Sequence, residues 1–138
     1  MEIEPYLHFR GQCEEALNFY ASVFGGEITS LNRFAGSPLM NELPPEYASK
    51  IMHANFKAPN GVKFMASDGR PNTTHAGDSS RISLSVSTAD VAEGERTFRA
   101  LAEGGKISMD YQKTFWGATF GMLTDKYGID WMVNAGQT

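Results

Sequence analysis

Histidine, cysteine, carboxylate and methionine are the side chains of this sequence that could do chemistry, and their spacing narrows what that chemistry is. The histidines His8, His53 and His75 stand far apart, and no His-x-Glu, His-x-x-x-His or Cys-x-x-Cys pair sets two metal donors side by side. Cys13 sits near a predicted helix start, where the positive end of the helix favours a thiolate nucleophile. Its place on the apolar stripe of that helix explains it equally well as a small buried residue. No Gly-x-Ser-x-Gly elbow is present. Asp68, Asp125 and Asp130 fall beside strand ends and turns, where an aspartate usually serves the backbone. Tyr111, Gln112, Phe115 and Trp116 form an aromatic group that reads first as core and second as a wall for a planar or apolar ligand. Two methionines recur in matched places: "NGVKFMASD", residues 60–68, and "YGIDWMVNA", residues 127–135, both run turn residue, Gly, β-branched, charged, aromatic, Met.

Such an echo points to a duplicated unit, and the elements that would position these residues repeat as well. "QCEEALNFYASVFGG" places Cys13, Ala16, Leu17, Tyr20, Val23 and Phe24 at helical spacing, with Glu14 and Glu15 in the first turn and Gly25 at the close. "TADVAEGERTFRALAEGG" repeats the design with Val91, Glu95, Phe98, Leu101 and Ala102 on one stripe and Gly104-Gly105 at its end. Gly94 weakens this second helix by roughly 1 kcal/mol relative to alanine. An extended segment precedes each helix, "EPYLHFR" at residues 4–10 and "RISLSVS" at 81–87, and three β-like stretches follow each. The closing strands align Gly61 with Gly128, Phe64 with Trp131 and Met65 with Met132, while the opening strands pair Tyr6 with Ile82. The first half therefore holds extra chain, and "AGSPLMNELPPEYA", with three prolines, is the loop expected to contain it. Module one spans about 1–70 and module two about 80–138, within one domain.

Alternation along the strands assigns faces. Phe64 and Ala66, with Trp131 and Val133, form an apolar set to lie under helices. Lys63, Met65 and Ser67, with Asp130, Met132 and Asn134, form a mixed set on the other side, joined by Arg81, Ser83 and Ser85. His8 shares the parity of Tyr6 and Arg10 and matches Leu84 of the second copy, which puts it under a helix and hydrogen-bonded. His53 aligns with Phe120, in a packed or hydrogen-bonded role. His75 lies in "GRPNTTHAGDSS", a polar segment read as a solvated linker.

Two consecutive β-α-β-β-β modules, opened by "PYLHFRGQCEEALNFYASVFGGEI" and closed by "FWGATFGMLTDKYGIDWMVN", resemble the vicinal oxygen chelate superfamily of glyoxalase, bleomycin-resistance and dioxygenase proteins. Within it the chain is similar to the PhnB-like branch, named after 3-demethylubiquinone-9 3-methyltransferase. The resemblance implies an α+β fold in which the two tandem modules form a curved sheet around a cleft, with helices outside, and a homodimer. It also implies where metal-dependent members carry ligands: Pro5, Met65, Arg81 and Met132 in this sequence. None suits a divalent ion, because proline has no ligating side-chain atom, arginine repels a cation, and a thioether is soft where imidazole and carboxylate are favoured. No metal or other cofactor is expected at that position; a displaced site would draw on His8, His53 and Asp68. The branch name is not matched by a methyl-donor nucleotide motif, since no strand leads into a Gly-x-Gly-x-x-Gly turn.

The composition closes off other classes. A net charge of −4 without any run of Lys or Arg lacks the footprint of a nucleic-acid or membrane-surface binder. One cysteine and no basic, apolar leader point to the cytoplasm. The expected function is binding of a small organic molecule, anionic or aromatic, in a cleft lined by Lys63, Met65, Ser67, Arg81, Met132 and Asn134, with Phe34, Phe115 and Trp116 as walls. The alternative is a metal-dependent lyase or dioxygenase with a displaced site, and whether any reaction is catalysed stays open at this level.

Overall fold

The helix read from "QCEEALNFYASVFGG" forms at Cys13–Phe24 (α1), with Cys13, Ala16, Leu17 and Tyr20 buried along one stripe and Val23 and Phe24 half-buried. Gly25 ends it in left-handed backbone at φ 69°, its N–H returning to the Ala21 carbonyl. A computed structural model describes residues 1–69 and 82–136 of the chain. Arg81, His75 and the rest of the segment read as a linker, all but its first residue Gly69, lie outside the described residues. The chain divides into two compact units, Met1–Thr74 and His75–Thr138.

Unit 1 runs β1 (Tyr6–Phe9), α1, β2 (Glu27–Arg33), β3 (Ile51–Ala58) and β4 (Val62–Asp68); unit 2 runs β5 (Leu84–Thr88), α2 (Val91–Ala102), β6 (Lys106–Lys113), β7 (Thr119–Thr124) and β8 (Asp130–Ala135). Each forms a four-stranded sheet, ordered β1-β4-β3-β2 and β5-β8-β7-β6. The opening strand lies parallel to the closing strand because the helix must carry the chain across first; the remaining pairs are antiparallel. Tight turns join β3 to β4 and β7 to β8, and Gly61 and Gly128 supply their positive φ, 82° and 89°. The extra chain of the first half folds as two short 3-10 turns, Pro38–Glu42 and Pro45–Ser49. Tyr47 ties it down, packing on Phe34 at 5.7 Å and donating to the Gly69 carbonyl at 3.1 Å.

The faces of β1 differ from the sequence expectation. Leu7 and Phe9 are buried, and Tyr6 and His8 are exposed. Tyr6 lies beside Met65 and Ser85 beside Met132, so the counterpart of Tyr6 is Ser85, three residues beyond Ile82. Ile82 precedes β5 and is 75% exposed. His8 is therefore not under a helix. "YLHF" carries a large ring or aliphatic group at both parities, so its own alternation does not choose a face; the parallel pairing of Leu7 with Ala66 does.

Under α1, Phe56 stacks on Phe64 at 4.7 Å and Tyr20 meets Phe64 edge-on at 5.9 Å. Under α2, Phe98 stacks on Tyr111 at 5.5 Å, beside buried Leu101, Leu123, Trp131 and Val133. Gly94, a weak point by propensity, is a requirement of packing. A Cβ there would run into the Tyr111 hydroxyl and come within 2.9 Å of the Ala135 Cβ.

Candidate functional site

The side of each sheet away from its helix carries the side chains that the helix-covered core does not use. In unit 1, strand register sets Tyr6, Met65, Asn55 and Ser30 in one row across β1, β4, β3 and β2. His8 and Ser67 lie opposite one another in the next row, and His53 follows Asn55 at the same parity on β3. A hydrogen-bonded chain joins them: Tyr6 Oη meets His53 Nδ1 at 3.2 Å, and His53 Nε2 meets Asn55 Oδ1 at 3.0 Å. The His8 ring stacks on Tyr6 with centroids 4.9 Å apart and planes 27° apart.

In unit 2 the corresponding row is Ser85, Met132, Met122 and Met109 across β5, β8, β7 and β6. Phe120 and Asn134 pair beside it, and the Phe115, Trp116 and Phe120 rings follow one another at 4.9 Å and 6.1 Å. The row equivalent to a polar chain in unit 1 is thus a methionine surface flanked by rings, soft and apolar.

The sequence-predicted residues separate accordingly. Met65 and Ser67 share the open face of unit 1, and Met132 and Asn134 that of unit 2. Lys63 is also on the first face, but its ammonium is held by Glu2 at 2.8 Å and Glu4 at 3.3 Å, which raise its pKa through hydrogen bonds and charge. Phe34 is buried against Tyr47, and Arg81 lies outside the described residues. Tyr111 is core as expected, whereas Phe115 is 97% and Trp116 46% exposed. Tyr6 and Asn55 were not among the residues singled out for binding, and His8 and His53 were named only as donors of a displaced metal site. Their contact spans β1 to β3 and leaves no local signal except the parity that "YLHF" obscures.

The chelating positions of the superfamily can be tested against this geometry. Pro5 contributes only its backbone carbonyl, which accepts from the Met65 N–H at 3.0 Å, and Met65 and Met132 bring thioethers. The donor chemistry does not fit a divalent ion favouring nitrogen and oxygen ligands. Among the described residues no group of three or more His, Cys, Asp or Glu converges. The displaced set of His8, His53 and Asp68 does not assemble either. Asp68 points to the helix side, where Oδ1 accepts from the Gly11 and Cys13 N–H groups at 2.8 and 2.9 Å and Oδ2 from Ile51 N–H at 2.9 Å. Asp125 also serves the backbone, accepting from Tyr127 and Ile129 N–H and from the Trp131 indole at 2.8 Å. Cys13 is fully buried, and that burial, followed by the charges of Asp68 and Glu14, pushes its thiol up to about 12. A nucleophilic role does not survive that environment.

Among the described residues no helix is long and apolar enough to cross a membrane. PA1353 from Pseudomonas aeruginosa is 40% identical with a TM-score of 0.85, covering 100% of this chain and 99% of that one. The PhnB protein from Bacillus cereus is 32% identical at a TM-score of 0.82, covering 98% and 99%. Protein YjdN of Escherichia coli (strain K12) is 34% identical over 144 residues, 97% of this chain and 95% of that protein. A glyoxylase/bleomycin resistance protein/dioxygenase domain from Frankia sp. EAN1pec shares the fold at 13% identity and a TM-score of 0.69. The family model described as 3-demethylubiquinone-9 3-methyltransferase matches residues 1–134, and with the two β-α-β-β-β units in place the chain belongs to that PhnB-like family of the glyoxalase fold.

Proposed function

We propose that this chain is a small-molecule-binding protein of the glyoxalase and bleomycin-resistance type that holds its ligand on the open sheet faces without the divalent ion of chelating relatives. The observation that carries this reading is the substitution of thioether and pyrrolidine groups at Met65, Met132 and Pro5 for metal donors, on faces that keep polar and aromatic contacts for an organic molecule. Unit 1 offers hydrogen-bonding groups suited to a polar ligand, and unit 2 offers methionines and rings suited to a planar or apolar one. The residues proposed to touch a ligand are Met65 and Ser67 on the unit 1 face, where Lys63, already ion-paired, is a weaker anchor, and Met132 and Asn134 on the unit 2 face, with Phe115 and Trp116 as walls. Methyl transfer from a nucleotide donor has no support in the connections, since β1 meets α1 through Arg10–Gln12 and β5 meets α2 through Ala89–Asp90, neither a glycine-rich loop.

We also propose a homodimer. β6 is an edge strand whose residues 106–110 are exposed, Ile107 and Met109 included, and such an edge needs cover. Sedimentation at micromolar concentration is expected to return twice the chain mass; a monomer contradicts the pairing.

The test of the binding reading is a thermal-shift screen of small aromatic compounds and organic acids on protein stripped with EDTA. A hit present at 100 times its dissociation constant stabilises the fold by about 2.7 kcal/mol. Stabilisation that appears only after a divalent metal is added back contradicts the proposal, as does stoichiometric metal in the purified protein.

A further inference from the structure

We propose that Tyr6, His53 and Asn55 form a proton-accepting subsite on the open face of unit 1, built to take a small planar molecule by an ionisable hydroxyl, a phenol or an enol. The inference rests on the small-molecule reading above and adds the chemical class of the ligand. Asn55 Oδ1 can only accept, so His53 Nε2 carries the hydrogen of their 3.0 Å bond. In a neutral imidazole the other nitrogen then holds a lone pair, and Tyr6 Oη donates to Nδ1 at 3.2 Å. With its hydrogen committed, the oxygen of this exposed tyrosine presents acceptor capacity to a ligand. A ligand ether or carbonyl meets no donor at that oxygen; a ligand O–H meets an acceptor.

The proton transfer balances without another reagent. The ligand hydroxyl gives its proton to Tyr6 Oη while the tyrosine proton moves to His53 Nδ1, so two O–H bonds break as one O–H and one N–H bond form. The ligand keeps its electron pair as an oxyanion. His53 now donates from both nitrogens, to Tyr6 and to Asn55, and the re-formed tyrosine hydroxyl donates to the oxyanion. Tyr6 is the group that touches the ligand; His53 and Asn55 act through it.

The surroundings agree with this use. The exposed His8 ring, stacked on Tyr6, widens the flat surface against which a planar ligand can lie. Of the charged groups at this parity, Lys63 on β4 is taken up by Glu2 and Glu4, Lys57 lies farther along β3 opposite Glu27 of β2, and exposed Arg10 follows His8 just past β1. Ser30 and Asn32 on β2 and Met65 and Ser67 on β4 are uncharged. In unit 2 the equivalents of Tyr6, His53 and Asn55 are Ser85, Phe120 and Met122, which cannot form the chain, so the subsite belongs to unit 1 alone.

The experiment compares 4-nitrophenol, whose absorption reports its ionisation, with its methyl ether 4-nitroanisole on the full chain. Below the pH at which the free phenol ionises, bound nitrophenol is expected to show the phenolate band and to bind about tenfold tighter than the ether, the effect of one hydrogen bond to a charged group. Tyr6→Phe is expected to abolish the band and the preference while leaving the melting temperature in place. Nitrogen-15 spectra of the histidines give a second readout that needs no ligand: the His53 proton sits on Nε2, and the Nδ1 resonance moves in Tyr6→Phe. Equal affinity for the two probes, a band that persists in Tyr6→Phe, no binding of nitrophenol, or the proton on Nδ1 would overturn the subsite. If other screened compounds still bind in any of those cases, the small-molecule reading stands; if none binds, it falls with it.

Discussion

Asp68 shows how a single side chain can serve the fold from a distance. Gln12, ahead of α1, makes no side-chain cap, and Asp68 at the end of β4 reaches the Gly11 and Cys13 N–H groups instead, while its second oxygen fixes the start of β3. In unit 2 the equivalent position is Ala135, and α2 caps itself through Asp90, which accepts from Ala92 and Glu93 N–H at 2.9 and 3.2 Å. Asp68→Ala strands two buried backbone donors and a part-buried third and is expected to cost about 3 kcal/mol or more in urea unfolding. Asp90→Ala, at an exposed local cap, costs about 1 kcal/mol. Equal losses would contradict the account. The Cys13 thiol is governed by the same enclosure. It ionises near 9.0 in the unfolded chain and at about 12 in the folded one, so the stability it contributes is whole below pH 9.0 and is lost as pH climbs toward 12. Native protein at neutral pH is expected to resist Ellman's reagent and to react only at the rate of unfolding; prompt stoichiometric reaction would contradict burial.

At the scale of elements, what the sequence shows and what it hides divide along local and remote causes. Both helices and both closing strands are legible because their apolar periods are set within a dozen neighbouring residues, and the glycines of their turns are in the sequence itself. The facing of β1 is not legible, because Tyr6, Leu7 and Phe9 offer apolar surface to both sides and the choice is made by Ala66, far along the chain. The same remoteness hides the Tyr6–His53 contact and the Asp68 cap. Propensity misleads most plainly at Gly94. Alanine gains about 1 kcal/mol in an open helix, yet here its methyl would press on Tyr111, whose hydroxyl donates to the Val91 carbonyl at 2.8 Å, and on Ala135. Gly94→Ala is expected to lower stability by about 1–3 kcal/mol, read as a fall in melting temperature; a rise would show that α2 can shift off its sheet without loss.

For the whole molecule, the two units share one scaffold while their open faces differ. The two sheets share one strand order, yet a row of Tyr6, Met65, Asn55 and Ser30 in one becomes Ser85, Met132, Met122 and Met109 in the other. The unit 1 face holds two imidazoles, His8 and His53, but among the described residues no group of three or more His, Cys, Asp or Glu converges there or on the unit 2 face. The most direct test is to titrate a screening hit into isotope-labelled, EDTA-treated protein and follow the amide and methionine methyl resonances. Saturable shifts concentrated on an open sheet face, at Tyr6, His53, Asn55 and Met65 in unit 1 or at the methyls of Met122 and Met132 in unit 2, are the predicted result. Shifts that require added divalent metal, or that gather on α1 and α2 instead, would contradict it.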